Sequence, residues 1–250
     1  MVITNYFYAV GKNKLQDRYE LLKNRNQYMT PQYIKMFKEN LKNIEAKGRI
    51  GVFYAGGAGM HNAEARGSNK RKEYTQPYLD SGPVIKNLQA YMMHKYIGIM
   101  PFRDKVVYAN INSNTCASSL HSVYEAKKLI DDGVIDIAII IAEEKTSTET
   151  IKIFEEHRID VTPGEGFACV VISRYGDGTK LLDAKWGYKY NQNPFLVSCE
   201  GYESVYTDSD VVKGHQTGTE QNDTAEKKVF GEVVGYKKDI GHCQGASGLI

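Results

Sequence analysis

Strand-like and helix-like stretches alternate along most of the chain. Runs of β-branched and aromatic residues predict strands at 2–10, 49–55, 105–110, 134–142, 167–173, 181–190 and 232–236. Apolar residues at helical spacing predict helices at 31–47, 83–97, 120–130 and 222–229. This alternation is typical of mixed or parallel sheets covered by helices, so the pattern predicts the α/β class.

Composition and charge narrow the range of partners. The chain has 250 residues, of which 42% are hydrophobic and 25% charged, which is typical of a globular domain with a sizeable core. A net charge of +2 gives no reason to expect nucleic acid or an anionic membrane as a partner. The longest apolar run, 134–142, is interrupted by Asp136 and is too short to span a bilayer.

Cysteine usage favours a reducing compartment. Cys116, Cys169, Cys199 and Cys243 form no C-x-x-C pair, and no signal peptide precedes the first predicted strand. We therefore expect a cytoplasmic protein with free thiols. Cys243 next to His242 does not have the spacing of metal ligands, so no metal is expected.

Cys116 lies in a short turn, 114–119, that joins a predicted strand to a predicted helix. A cysteine at a helix start faces the positive end of the macrodipole and unpaired backbone N–H groups, which lower the thiol pKa and stabilise an oxyanion. This is the setting that an acyl-cysteine intermediate needs. A lone cysteine is more often a small buried apolar residue, however, so its position alone favours a structural role; the motifs that follow reverse that interpretation.

Five motifs, in order, resemble those of β-ketoacyl synthases, the ketosynthase branch of the thiolase superfamily. They are the turn NTCASS at 114–119, the helix and strand at 126–144, GEGFA at 164–168, HQTGTEQND at 215–223, and KKDIGHCQGASG at 237–248. The segments VITNYFYAVG at 2–11 and RIGVFYAGGAG at 49–59 resemble the first two glycine-ended strands of the family. The resemblance therefore covers nearly the whole chain.

The resemblance implies a thiolase-like fold with α-β-α-β-α layers, reduced in its C-terminal half. It divides this single domain into 1–160, which carries the nucleophile, and 161–250, which carries two histidines. The implied reaction is acyl transfer to a cysteine, followed by decarboxylative Claisen condensation with a malonyl-type thioester in fatty acid or polyketide-type biosynthesis. No cofactor is expected to be bound; the substrates ride on the phosphopantetheine of an acyl carrier protein or on coenzyme A.

The family's site residues carry over by motif position. Cys116 would accept the acyl group, and His215 and His242 would hold the extender carbonyl, since two imidazole N–H donors can stabilise an enolate. Lys237 would support the site through the second histidine.

The resemblance also implies that Thr217 and Thr219 line the pantetheine tunnel. The remaining histidines have no motif context, and we expect structural roles for them: His61, His94, His121 and His157.

Three departures from the family pattern keep alternatives open. Gln216 replaces a glycine, both intervals between the site residues are short, and the chain ends at Ile250, before the family's last two strands and their glycine-phenylalanine-glycine loop. We expect a homodimer, or a heterodimer with another ketosynthase-like subunit that completes the fold. The alternatives are a non-catalytic subunit of the chain-length-factor type, against which Cys116 argues, and a protein that loads acyl groups without condensing them. The glycines at 56–59 fit no nucleotide-binding pattern. The sequence does not specify chain length, extender unit or pathway.

Overall fold

The computed structural model describes residues 1–10, 29–56, 84–144, 154–156, 161–189 and 198–250. Its strands are β1 (Val2–Val10), β2 (Ile50–Ala55), β3 (Val106–Asn112), β4 (Ile137–Glu144), β5 (Gly166–Ser173) and β6 (Thr179–Lys180). Its helices are α1 (Met29–Leu41), α2 (Val84–Gly98), α3 (Ser118–Asp131), α4 (Cys199–Glu203), α5 (Glu220–Phe230) and α6 (Lys237–Ile240). Short 3₁₀ turns occur at Arg103–Lys105, Thr115–Ala117 and Gln244–Ala246.

The strands form one mixed six-stranded sheet in the order β3-β2-β4-β5-β1-β6. β2 runs parallel to both β3 and β4, whereas β5 is antiparallel to β4 and to β1. The predicted α/β class is confirmed. β5 follows residue 160 and pairs with β4 along its whole length; the division into halves at 1–160 and 161–250 stays a prediction.

The central strands read as continuous apolar runs because both faces of the sheet are covered. Every residue of β2, β4 and β5 is buried. On one face, Phe37 of α1 and Tyr96 of α2 pack against Val52 and Ile139. On the other face, Ile130 of α3 packs against Ile140.

Two strand predictions are wrong. The stretch 181–190 was predicted to be a strand next to β5, but its described part, 181–189, forms no strand; the short strand Thr179–Lys180 precedes it and pairs with β1. Leu181 packs against the core, but Leu182 is 84% exposed and Tyr188 is 79% exposed, so the stretch lacks the buried face of a core strand. The strand predicted at 232–236 is reduced to a single bridge between Lys213 and Val234.

The carboxyl ends of the parallel strands β2, β3 and β4 lie at one edge of the sheet. Ligands bind at this edge in many open α/β folds. β3 leads directly into the turn that carries Cys116. At the end of β4, the Glu144 carboxylate accepts the Gly245 N–H at 3.3 Å, which ties the C-terminal segment to the same edge. No helix within the described ranges has both the length and the apolar character needed to cross a membrane.

Candidate active site

Cys116 lies where the sequence predicted it, between a strand and a helix. It occupies the 3₁₀ turn Thr115–Ala117, directly before α3. Thr115 has φ +47°, a backbone conformation that residues other than glycine rarely adopt. The turn is held by Ser118, whose hydroxyl donates to the Thr115 carbonyl at 2.7 Å. This geometry places Cys116 at the sheet edge, where the residue as a whole is half-buried.

The pKa of Cys116 shifts in the opposite direction to the one expected from its helix-start position. Burial of the sulfur raises the pKa of Cys116 to about 11, and the charge of Lys237 lowers it only in part. The prediction of a lowered pKa is therefore wrong, because loss of hydration outweighs the dipole and the nearby cation. The thiol, rather than the thiolate, is the resting form at neutral pH.

His242 makes the contact with the thiol. Its Nε2 lies 2.9 Å from Cys116 Sγ, and its Nδ1 lies 3.0 Å from the Ser247 hydroxyl. The backbone on either side is pinned: the His242 N–H donates to the Thr162 carbonyl at 2.7 Å, and the Gly164 N–H donates to the His242 carbonyl at 2.9 Å. Two elements distant in sequence thus hold one buried imidazole against the sulfur.

His215 completes the group from a different loop. Its ring centroid is 5.0 Å from that of His242, with the two rings nearly perpendicular at 84°. Lys237 Nζ lies 2.8 Å from His215 Nδ1 and also donates to the His215 carbonyl. Lys237 was expected to act through the second histidine, but its direct contact is with the first.

Lys237 is the charged member of the group that it forms with Cys116, His215 and His242 near neutral pH. Burial, followed by the charge of Lys237, lowers the pKa of His215 to about 3 and holds the pKa of His242 well below its usual range. Burial also lowers the pKa of Lys237 to about 8, against the opposing influence of Cys116 and Glu226. Both imidazoles are therefore neutral near pH 7, and the lysine still carries a proton.

Glu226 is a buried carboxylate that sequence reasoning missed. It accepts the backbone N–H of His215 and, at 2.8 Å, that of Gln216, which has φ +44°. Gln216 thus keeps a left-handed backbone at the position where the family has glycine. The signal was present: Asn222, Ala225 and Glu226 form the buried face of α5 at helical spacing. Sequence reasoning also missed Ser247, although it lies within the motif at 237–248.

Thr217 and Thr219 are adjacent to the histidine loop. Their hydroxyl oxygens are 2.9 Å apart. Thr217, but not Thr219, lines a cavity of about 240 Å³, together with Thr162, Gln216 and Lys237. A tunnel role for the two threonines stays a prediction.

The two described histidines outside the motifs, His94 and His121, do not join the site. His121 contacts Asn112 and Asn114 and packs against Trp186 with ring centroids 4.3 Å apart, whereas His94 is exposed. His61 and His157 lie outside the described residues, as do the glycines at 57–59.

Comparison with solved structures identifies the fold. A β-ketoacyl synthase from Burkholderia phymatum superposes with a TM-score of 0.57 at 17% identity, covering 96% of this chain and 71% of that one. An oxazolomycin ketosynthase domain from Streptomyces albus gives a TM-score of 0.56 at 17% identity, covering 86% of this chain and 46% of that one. The ishigamide ketosynthase/chain length factor gives 0.52 at 17% identity, covering 80% and 60%.

These similarities concern the fold, which is of the mixed α/β class. More particularly, the chain has a ketosynthase fold, and the resemblance inferred from the motifs is confirmed at that level. The chain spans less than half the length of the oxazolomycin domain, at 46%. No protein-family model matches the sequence, and no curated protein matches it.

Proposed function

We propose that this chain is a condensing enzyme of the β-ketoacyl synthase type. It would accept an acyl group from a thioester on Cys116 and join it to a malonyl-type thioester with loss of CO₂. The observation that carries the proposal is the 2.9 Å contact between Cys116 Sγ and His242 Nε2, with the His215 ring 5.0 Å from the His242 ring. Three motifs far apart in sequence thus meet in one group.

The first step is acyl transfer. The Cys116 proton moves to His242 Nε2 as the sulfur attacks the thioester carbonyl, because a thiol with a pKa of about 11 is not ionised beforehand. The Ser247 hydroxyl can accept a hydrogen bond from the Nδ1–H of His242 and so stabilises the imidazolium. The new S–C bond forms, the carrier C–S bond breaks, and His242 returns the proton to the leaving thiolate.

The second step is decarboxylative condensation. Breaking the C–C bond to the extender carboxylate releases CO₂ and leaves an enolate, whose oxygen needs donors. Lys237 donates to His215 Nδ1, which fixes the proton of His215 on Nε2 as a permanent donor. Between the steps His242 loses its Nδ1 proton to solvent and takes one up at Nε2; the Ser247 hydroxyl, which can accept or donate, pairs with Nδ1 in both tautomers. The enolate carbon then attacks the acyl carbonyl, the S–C bond to Cys116 breaks, and the departing thiolate takes up one proton from solvent.

The remaining assignments extend the same proposal. Thr217 and Thr219 would meet the amides of a pantetheine arm, borne by an acyl carrier protein or by coenzyme A. The chain would act as a dimer, with itself or with another ketosynthase-like subunit. A partner-dependent subunit is the second candidate, supported by the similarity to the ishigamide ketosynthase/chain length factor.

The test is acylation followed by discharge. The purified protein is incubated with an acyl thioester, and the acyl mass is sought on Cys116 by peptide mass spectrometry, before and after malonyl thioester is added. Cys116→Ala should lose the label, whereas Cys199→Ala, which removes a partly exposed thiol elsewhere, should keep it.

Each outcome separates the candidates. Label that malonyl thioester discharges supports a condensing enzyme. Label that stays on Cys116 favours an acyl-loading or partner-dependent subunit. A folded protein that takes no label contradicts the enzyme proposal for this chain.

A further inference from the structure

Three metal-ligating side chains converge in the group just described. One ligand-type atom from each of Cys116, His215 and His242 lies within 4.8 Å of the other two. A tetrahedral zinc ion has Zn–S and Zn–N bonds of about 2.3 and 2.0–2.1 Å, so its ligand atoms are roughly 3.3–3.6 Å apart. The sulfur and His242 Nε2 are 2.9 Å apart, somewhat closer than this range, and no two of the three ligand atoms are more than 4.8 Å apart. Small side-chain rotations would therefore bring the three atoms to bonding distance of one ion.

The atoms around the group favour this use. His242 faces the sulfur with Nε2, and its other nitrogen is held by the Ser247 hydroxyl at 3.0 Å, the kind of outer contact that orients metal-binding histidines. His215 can offer Nε2 to a metal in the tautomer that carries its proton on Nδ1; Lys237 then releases Nδ1 and keeps its bond to the His215 carbonyl. A thiolate with two imidazoles is a donor set for soft or borderline divalent ions such as Zn²⁺, not for Mg²⁺ or Ca²⁺.

One neighbouring charge opposes a cation. The Lys237 ammonium touches His215 and is the group that binding must overcome. Because like charges repel even in the dielectric of water, replacing Lys237 by methionine should tighten metal binding by about tenfold or more. A site built only for metal would not keep a cation there, so we expect reversible rather than permanent occupancy.

We propose that Cys116, His215 and His242 together bind one Zn²⁺-class ion reversibly, and that the bound ion blocks the nucleophile. Cys116 binds as the thiolate and gives its proton to solvent. Three protein ligands leave a fourth position open to water. The binding half of the proposal is independent of the proposed function; the blocking half rests on it.

The test uses Co²⁺ as a spectroscopic probe on the full chain. Titration should produce a thiolate-to-cobalt charge-transfer band with a stoichiometry of one, and Zn²⁺, but not Mg²⁺, should abolish it. Cys116→Ser should lose the band and His242→Gln should weaken Co²⁺ binding at least about hundredfold, since loss of outer contacts alone costs 10–100-fold. Cys199→Ser is the matched control and should behave as wild type.

The outcomes decide the matter without any acyl substrate. Absence of the band in the wild-type protein overturns the proposal, and so does a band that survives in folded Cys116→Ser. If that variant does not fold, His215→Gln and His242→Gln provide the same test, with circular dichroism to check the fold. Metal binding in a protein that never takes an acyl label would leave the site standing and sink only the blocking role. Acyl loading unaffected by saturating Zn²⁺ would also overturn that role.

Discussion

Glu226 offers the sharpest test of how the histidine loop is held. The side chain is 1% exposed, and its two oxygens accept the backbone N–H groups of His215 and Gln216. Gly214 permits this approach, because a Cβ there would lie 2.8 Å from a Glu226 oxygen. Glu226→Gln keeps the shape but replaces one acceptor by a donor. One backbone N–H must then face an NH₂ group in a buried space.

The magnitude follows from the contacts that change. A hydrogen bond to a charged group contributes about 1.5–3 kcal/mol, and a buried donor left unsatisfied costs about 1–3 kcal/mol. One bond is lost and one weakened, so we expect the free energy of unfolding to fall by about 2–4 kcal/mol. Glu226 also raises the pKa of Lys237, so the variant should hold its lysine proton less tightly.

The assay pairs urea unfolding with the two chemical steps. In the proposed mechanism condensation depends on the position of His215, so it should slow at least about tenfold, whereas loading of Cys116, assigned to His242, should change less. Glu232→Gln, at an exposed acid outside the helix, is the control and should stay within about 0.5 kcal/mol of wild type. A Glu226→Gln protein with unchanged stability and unchanged condensation would refute the reasoning.

Three further predictions concern residues in the part of the chain from His215 to Gly241. Thr217→Ala should raise KM for a pantetheine-borne thioester by about 2–10-fold with kcat unchanged, because it removes one hydroxyl from the cavity wall; a change in kcat alone would contradict this. Gly241→Ala should cost at least about 3 kcal/mol in urea unfolding, because its φ is +77° and its Cβ would lie 2.8 Å from backbone, whereas Gly218→Ala, with φ +88° but open space, should cost about 1–2 kcal/mol. Because the pKa of His215 is about 3 in the folded state and about 6.5 unfolded, the unfolded chain takes up the proton first. Stability should therefore fall between about pH 6.5 and 3, and His215→Asn should flatten that fall; an unchanged slope would contradict it.

The sequence predicted the sheet best where burial is complete. β2, β4 and β5 lie within or close to their predicted ranges, because strands covered on both faces leave unbroken apolar runs. β4 nevertheless starts at Ile137 rather than at residue 134, since Val134 is hydrogen-bonded to Leu129 at the end of α3 and Asp136 is paired with Arg49. At 181–189, apolar content predicted a strand, but beyond Leu181, which packs on the core, Leu182 and Tyr188 are exposed.

The site was predictable in its members but not in its contacts. Local motifs identified Cys116, His215 and His242, because each lies in a turn with a recognisable flank. Which histidine touches the sulfur, and which one meets Lys237, depends on how separate loops fold onto one edge. The direction of the Cys116 pKa shift could not be predicted from its place at a helix start, because the burial of the sulfur depends on how the whole chain folds.

Backbone strain links these contacts to the departure at Gln216. Among the described residues, the three non-glycine residues with positive φ are Thr115, Gln216 and Gln244, each within two positions of Cys116, His215 or His242. Such conformations cost of order 1–3 kcal/mol each and persist only where surrounding contacts hold them. The Glu226 carboxylate does this for Gln216 by accepting its N–H at 2.8 Å. The site therefore requires the left-handed conformation rather than glycine itself, and the buried carboxylate is what allows glutamine to adopt it.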